Sequence, residues 1–331
     1  MEIVQGVWQI KVPLPFTPLE YINVYVVKGV EGAILIDTGW NTPEAFSALQ
    51  DGLKQQGLGW KDIKQIVITH IHPDHYGLAK RVRELCGAKV AMHRIEAGLV
   101  DPRYVNFGKL LREMGRELYN NGVPSTELPG LEEASLWMNE FVMPLLPDVE
   151  LDNGDMISNG SFEFEVIWTP GHSPGHICLY EQRRKLLFAG DHLLFEITPN
   201  VSFHPQSGDN PLGDYINSLK TVEGLKANLV FPGHGPVFNS LKTRAAEIRS
   251  HHERREKVIV KAINEEPKTA YQIASEIPWI SEQAGVGFHN LEPMDRRLAI
   301  METLAHLRLL VVEDRARRIE RDGVSFYLAT D

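Results

Sequence analysis

Cysteine is nearly missing from this chain. Only Cys86 and Cys178 occur among 331 residues, far apart and in no metal-type or redox-type spacing. That excludes a disulfide framework and leaves two thiols expected to be buried. Also absent is any apolar run near the roughly 18 residues of a membrane span, and Met1 leads into strand-like sequence rather than a basic then apolar export signal. No membrane partner is expected, and cytoplasmic residence is the default. A basic track is lacking too. The net charge is −10, and residues 241–331 carry 15 Lys and Arg against 15 Asp and Glu, leaving 19 against 29 in residues 1–240. The larger segment therefore has no nucleic-acid footprint, although a local patch stays open.

What is present is ample for a core: 43% hydrophobic and 24% charged residues over a length that fits two domains or one with an appendage. Residues 1–240 alternate strands, among them "YINVYVV", "GAILIDTG", "KQIVIT" and "AKVAMH", with helical spacing at 43–56 and 75–86. Further strands follow at "FEFEVIWT", "HICLYE", "KLLFAGD" and "ANLVFPG", with a helix over 211–227. This is an α/β pattern. A mostly helical stretch at about 101–148 interrupts it, and its apolar Phe107, Leu110, Leu111, Met114 and Leu118 suit either a lid over a pocket or a packing seam. After about residue 240 come three helices and a hairpin-like end, the order of a winged helix. The expected domains are 1–240, with the insertion, and 241–331. Such a tail binds nucleic acid in some proteins and dimerises or packs in others, so a homodimer stays open.

The chemistry concentrates in "THIHPDHYG", where His70, His72, Asp74 and His75 crowd into six positions after an apolar strand. His70 and His72, two apart in extended chain, can aim their imidazoles the same way, while Pro73 separates them from Asp74 and His75, which converge on a second point. Chance yields such a pattern rarely, and histidines that merely hydrogen-bond at strand ends would explain one or two of them. Two adjacent cation sites follow from one short loop, and imidazole with carboxylate suits zinc or another first-row divalent ion. More donors lie at later strand ends: His172 in "TPGHSPGH", Asp191 in "LLFAGDH" and His234 in "LVFPGHGP".

HxHxDH, a Gly-His loop, Gly-Asp and Pro-Gly-His-Gly in that order resemble the metallo-β-lactamase-fold hydrolase superfamily. The resemblance implies an αββα sandwich and a site for two divalent metals, with zinc the first choice and iron or manganese as alternatives. Carried over by position, His70, His72 and His172 would hold one ion, Asp74, His75 and His234 the other, and Asp191 would bridge them. Asp37 in "LIDTG" would orient the site from outside the ligand set. The stretch "DYINSLKTVEGLKANLVFPGHGPVF" and the helical tail look like the β-lactamase-like protein 2 branch, which includes an endoribonuclease and related thioesterases. The insertion at 101–148 is longer than that branch leads one to expect.

Two such cations would make hydroxide available near neutral pH, with Asp74 handling the proton, so hydrolysis is the natural output. A small ester or thioester is the favoured substrate, because the catalytic part lacks a basic track. An endoribonuclease or phosphodiesterase is the first alternative. A mononuclear iron oxidoreductase of the persulfide dioxygenase type is the second, since His70, His172 and Asp191 form a two-histidine, one-carboxylate set. His192, Phe195, His204 and Tyr215 are candidate substrate contacts, whereas His251 and His252 sit on a polar helix face and read as solvated. His72→Ala should abolish turnover and leave the fold intact; an active variant would remove the metal role given to this residue.

Overall fold

The computed structural model describes residues 1–15, 19–279 and 287–330. Its β-rich runs form two sheets in one unit, made of Met1–Asn106, Trp137–Pro199 and Ser218–Ala245. The first sheet takes seven strands in chain order: β1 Glu2–Val4, β2 Val7–Pro13, β3 Tyr21–Gly29, β4 Gly32–Ile36, β5 Ile63–Val67, β6 Lys89–His93 and β7 Val149–Leu151. Strands β1 to β4 pair antiparallel and β4 to β7 parallel. The second sheet uses β8 Met156–Ser158, β9 Glu163–Trp168, β10 Ile177–Glu181, β11 Leu186–Gly190 and β12 Leu229–Pro232, ordered β12-β11-β10-β9-β8.

Side-chain alternation along each strand decides the layers. On β3, Tyr25 and Val27 join Phe164, Leu179, Phe188 and Phe231 of the second sheet in a core between the sheets. Ile22, Val24 and Val26 point the other way, to Leu49 and Leu53 of helix α1 (Pro43–Gln55) and Val100 farther on. Every residue of β10 and β11 is buried, so the second sheet is covered on its outer face as well. The result is an αββα sandwich. Phe188 stacks on Phe231 with centroids 4.5 Å apart, and Tyr25 meets both rings edge-on, an arrangement that adds to simple burial. Helix α1 begins where Thr42 accepts a hydrogen bond from Ala45 N at 3.1 Å and Pro43 presets the first turn.

Strand direction gathers the functional loops. Parallel β4 and β5 end at one edge of their sheet, delivering Asp37 and the Thr69–His75 loop. In the second sheet β9 and β11 are both antiparallel to β10, and β12 is parallel to β11. Strands β9, β11 and β12 therefore run alike, and the loops after them carry His172, Asp191 and His234. The sheets are stitched together at this edge. Tyr25 Oη donates to Pro232 O at 2.7 Å, Asn23 N to Gly233 O at 2.7 Å, and Ile177 N to Thr69 O at 3.0 Å.

Helices α2 Pro73–Tyr76, α3 Ala79–Cys86 and α4 Arg94–Val100 also belong to this part. The continuous helix expected over 75–86 is broken near Gly77, where a Cβ would stand 2.4 Å from Phe141 O and 2.6 Å from Pro73 O. Cys178 is buried as expected, but Cys86 is only half-buried at the end of α3.

The second unit comprises Phe107–Leu136, Asn200–Asn217 and Ala246–Asp331. Its elements are α5 Gly108–Asn120, α6 Leu128–Glu132, the start of α7 (Pro211–Glu223), most of α8 (Leu241–Ala262), α9 Ala270–Glu276, α10 Pro293–Val312 and the hairpin β13 Ala316–Arg321 with β14 Val324–Ala329. Residues 107–136 of the insertion thus group with the C-terminal elements. Glu127 joins them, accepting from Tyr271 Oη at 2.7 Å and Arg296 at 3.0 Å, and the buried Asn121 carbonyl accepts from Tyr271 N at 3.1 Å.

His252 corrects the expectation of a solvated histidine pair. It is buried, with its ring against Tyr215 and His306, because α10 covers that side of α8. Burial, with His251 and Arg255 adding to it, pulls His252 down to about 3, and burial likewise holds His306 well below its ordinary value. Unfolded, both would take a proton near pH 6.5; folded, they resist it to far lower pH. Their stability contribution is complete above about pH 6.5 and is lost as the pH falls from there towards 3. Urea unfolding should therefore weaken between pH 7.5 and 5.5, by up to about 1.4 kcal/mol per pH unit for each group, and His306→Asn should flatten that dependence.

Candidate metal centre

The loop after β5 runs Ile68-Thr69-His70-Ile71-His72, and His72 is extended (φ −60°, ψ 148°) as it caps α2, whose first residue is Pro73. Extended chain sets His70 and His72 on one side. His70 Nε2 lies 3.0 Å from His72 Nδ1, which lies 3.1 Å from His172 Nε2. The turn into α2 redirects the next pair: Asp74 Oδ2 is 3.2 Å from His234 Nε2 and 3.8 Å from His75 Nε2. Asp191 stands between the two groups, with Oδ1 3.4 Å from His75 Nε2 and Oδ2 3.5 Å from His234 Nε2 and 3.7 Å from His172 Nε2. In each of the sets His70/His72/His172, Asp74/His75/His234 and His70/His75/Asp191, one donor atom per residue lies within 4.8 Å of the others. All seven residues singled out as ligands in the sequence meet here.

Hydrogen bonds behind the site fix which ring nitrogens are open. Asp37 adopts φ 59°, a left-handed conformation that Asp tolerates better than most residues. Its Oδ1 accepts from Thr69 N at 2.8 Å, and its Oδ2 accepts from Thr69 Oγ1 at 2.9 Å and from His75 Nδ1 at 2.8 Å. A carboxylate only accepts, so His75 carries a proton on Nδ1 and turns Nε2 inward as the atom left to bind a cation. The Thr69 hydroxyl, having given its proton to Asp37, accepts from His70 Nδ1 at 3.1 Å, and His70 Nε2 is left open. The Tyr21 carbonyl likewise takes the Nδ1 proton of His234 at 2.9 Å. Orienting contacts of this type set ligand tautomers.

The open atoms are suited to a cation. His75 Nε2, Asp191 Oδ1 and His234 Nε2 are buried, make no well-formed hydrogen bond and face one another and Asp74, an arrangement that a bound cation would satisfy. Space is kept for it at Gly233, where a Cβ would stand 2.3 Å from Asp191 Oδ1 and 2.8 Å from His75 Cε1. Burial and the neighbouring imidazoles hold His70 and His72 well below their ordinary values, so both are neutral donors. Burial opposes charge on His234 and His75 as well, but the Asp191 carboxylate overcomes it, helped by Asp74 and, at His75, by Asp37. His234 rises to about 10 and His75 rises too. Burial would raise Asp191 and Asp74; their imidazole neighbours outweigh it and hold both carboxyls below the usual range. Protons thus stand in at the carboxylate-rich end for the positive charge that a divalent ion brings, and binding one releases them.

Several contributors escaped the sequence reading. Thr69 links Asp37 to His70; Tyr104 donates its hydroxyl proton to Ile71 O; His176 Nε2 accepts from Asp191 N at 3.1 Å. Only His176 had a visible signal, as the second histidine of "TPGHSPGH". Glu96, on the buried side of α4, contacts both ligand loops. Of the four proposed substrate contacts, His192 is fully buried beside His176, and burial draws it down to about 3. Phe195 is 43% exposed and packs on Phe238 at 5.3 Å. His204 caps a turn with Ser207 and Gln206, and Tyr215 is buried against His252; both belong to the second unit, and neither is among the converging groups.

Residues 17–234 match the family described as the metallo-beta-lactamase superfamily. A Bacillus subtilis protein named "Probable metallo-hydrolase YqjP" is 28% identical over 320 residues, 94% of this chain and 93% of its own. A Caenorhabditis elegans "Beta-lactamase-like protein 2 homolog" is 27% identical over 81% of this chain and 75% of its own. The human "Acyl-coenzyme A thioesterase MBLAC2" is 28% identical over 66% of this chain and 74% of its own. Among solved structures, a metallo-beta-lactamase family protein from Thermus thermophilus superposes with a TM-score of 0.83 at 29% identity, covering 99% of this chain and 100% of that one.

Asp37→Asn tests the tautomer assignment directly. Asparagine tolerates the same backbone conformation, but its amide must present a donor to Thr69 or to His75, and the latter moves the His75 proton to Nε2. Metal affinity in a chelator competition should drop about 10–100-fold with little change in circular dichroism.

Proposed function

This chain belongs to the metallo-β-lactamase superfamily and is a metal-dependent hydrolase, and from that premise we propose that it hydrolyses a small acyl thioester or ester at two divalent ions, zinc by preference. The observation that carries the reading is the pair of adjacent donor clusters, with inward ring nitrogens fixed by Asp37, Thr69 and Tyr21 and with Asp191 between them. His70, His72 and His172 would hold one ion, Asp74, His75 and His234 the other, and Asp191 both. When bound, such a pair polarises a carbonyl and lowers the pKa of water.

The chain's own groups do the rest. Asp74 reaches His234 and His75 through Oδ2, and its second oxygen can take a proton from the attacking water and hand it to the departing thiolate or alkoxide. Water adds to the acyl carbon, the carbon–sulfur or carbon–oxygen bond breaks, and a carboxylic acid and a thiol or alcohol leave. Phe195, exposed four residues past Asp191 and backed by Phe238, is the side chain we assign to the apolar part of the substrate. An acyl substrate is supported by the thioesterase name of the human relative and by the 29 acidic against 19 basic residues over 1–240, which disfavour a polyanion. We assign this chemistry to residues 1–240 and a separate packing or dimerisation role to the winged-helix-like 241–331.

Metal-loaded protein should release thiol from acyl thioesters, lose that activity to a chelator and regain it with added divalent ion. No turnover across thioesters, esters and lactones, together with cleavage of RNA, would replace this reading with the phosphodiesterase one.

A further inference from the structure

Glu96 lies in the first turn of α4, on the face it shares with Ala97 and Val100, and is completely buried. An acid on the core side of a helix is unfavourable unless its oxygens are filled. Here three uncharged donors fill them. Oε2 accepts from Ile71 N at 2.9 Å, and Oε1 accepts from Ser173 Oγ at 2.6 Å and Gly175 N at 2.6 Å.

The identity of those donors is informative. Ile71 separates His70 from His72, while Ser173 and Gly175 follow His172. The first loop comes from one sheet and the second from the other, so a single carboxylate spans the seam between them. Ile71 is held through both of its backbone polar groups, since its carbonyl accepts from Tyr104 Oη. The second loop comes so close that a Cβ on Gly175 would sit 2.7 Å from Glu96 Cγ and 2.8 Å from Glu96 N. An apolar residue would fill the same helix face without the desolvation cost of a charge, but it could not hold the two loops at a fixed separation.

We propose that Glu96 is the positioning residue for the three-imidazole group: it sets the 3.1 Å approach of His172 to His72 and thereby the affinity of that group for a divalent ion. The proposal rests on the ligand assignment made above. It also implies an asymmetry, because the Asp74/His75/His234 group is oriented by Asp37 and Tyr21 and should be insensitive to Glu96.

Cobalt(II) titration of the full-length metal-free protein, followed by visible absorption, tests this without reference to turnover. Wild type should take up two equivalents. Glu96→Gln, which has one acceptor oxygen for donors on two sides, should bind one equivalent with unchanged affinity and the other about 10–100-fold more weakly, with an altered absorption band. Glu96→Asp should be intermediate, and excess metal should fill the weakened site of Glu96→Gln to two equivalents. Ser173→Ala removes one donor from the same oxygen, should weaken the same equivalent several-fold, and carries the test if Glu96→Gln does not fold. His72→Ala separates the two layers of the argument. If it still takes up two equivalents, the ligand assignment falls and this inference with it. If it loses one while Glu96→Gln and Ser173→Ala bind both as tightly as wild type, the inference alone is overturned.

Discussion

The site depends on the Asp37 carboxylate. It accepts the Thr69 amide, the Thr69 hydroxyl and the His75 ring proton, and through Thr69 it also decides the tautomer of His70. One buried group at the end of β4 thereby makes two histidines face inward and fixes the loop carrying four of the seven converging side chains. The left-handed backbone at Asp37 turns the chain away immediately after that strand, so the carboxylate meets the loop from the adjacent parallel strand. A residue with a larger or branched side chain would resist that conformation.

Parallel pairing matters for the same reason. Strands β4 and β5, and separately β9, β11 and β12, end together because of their direction, so residues from Asp37 to His234 meet although far apart in sequence. The hydrogen bonds from Asn23 and Tyr25 to the segment before His234 lock the two sheets where their loops meet.

Much of this was legible in the sequence because ligands come as contiguous side-chain patterns at strand ends. HxHxDH and the Gly-His, Gly-Asp and Pro-Gly-His-Gly loops announce themselves by residue type. What stayed hidden acts through the backbone or from a distant element. Glu96 is one acid in an ordinary helix, and its meaning lies in peptide groups 25 and 79 positions away. His252 looked solvated because its own helix is polar around it, whereas α10 buries it. The helix at 75–86 had the right periodicity, but Leu78 N donates to Gly39 O and Gly77 O accepts from Met143 N, so backbone partners outside the helix interrupt it there. The insertion offered a lid or a seam with equal apolar content, and it is partners distant in sequence, such as those of Asn121, Glu127 and Leu131, that tie residues 107–136 to the C-terminal helices.

Because the strands discharge their ligands at one rim, the opposite rim is relieved of chemical duty. The β10–β11 turn at Gln182–Lys185 and the β3–β4 turn at Val30–Glu31 lie at the far ends of strands whose other ends face the metal ligands. None of the converging donor residues lies in these turns, so an engineer seeking a place for a fused module would begin there.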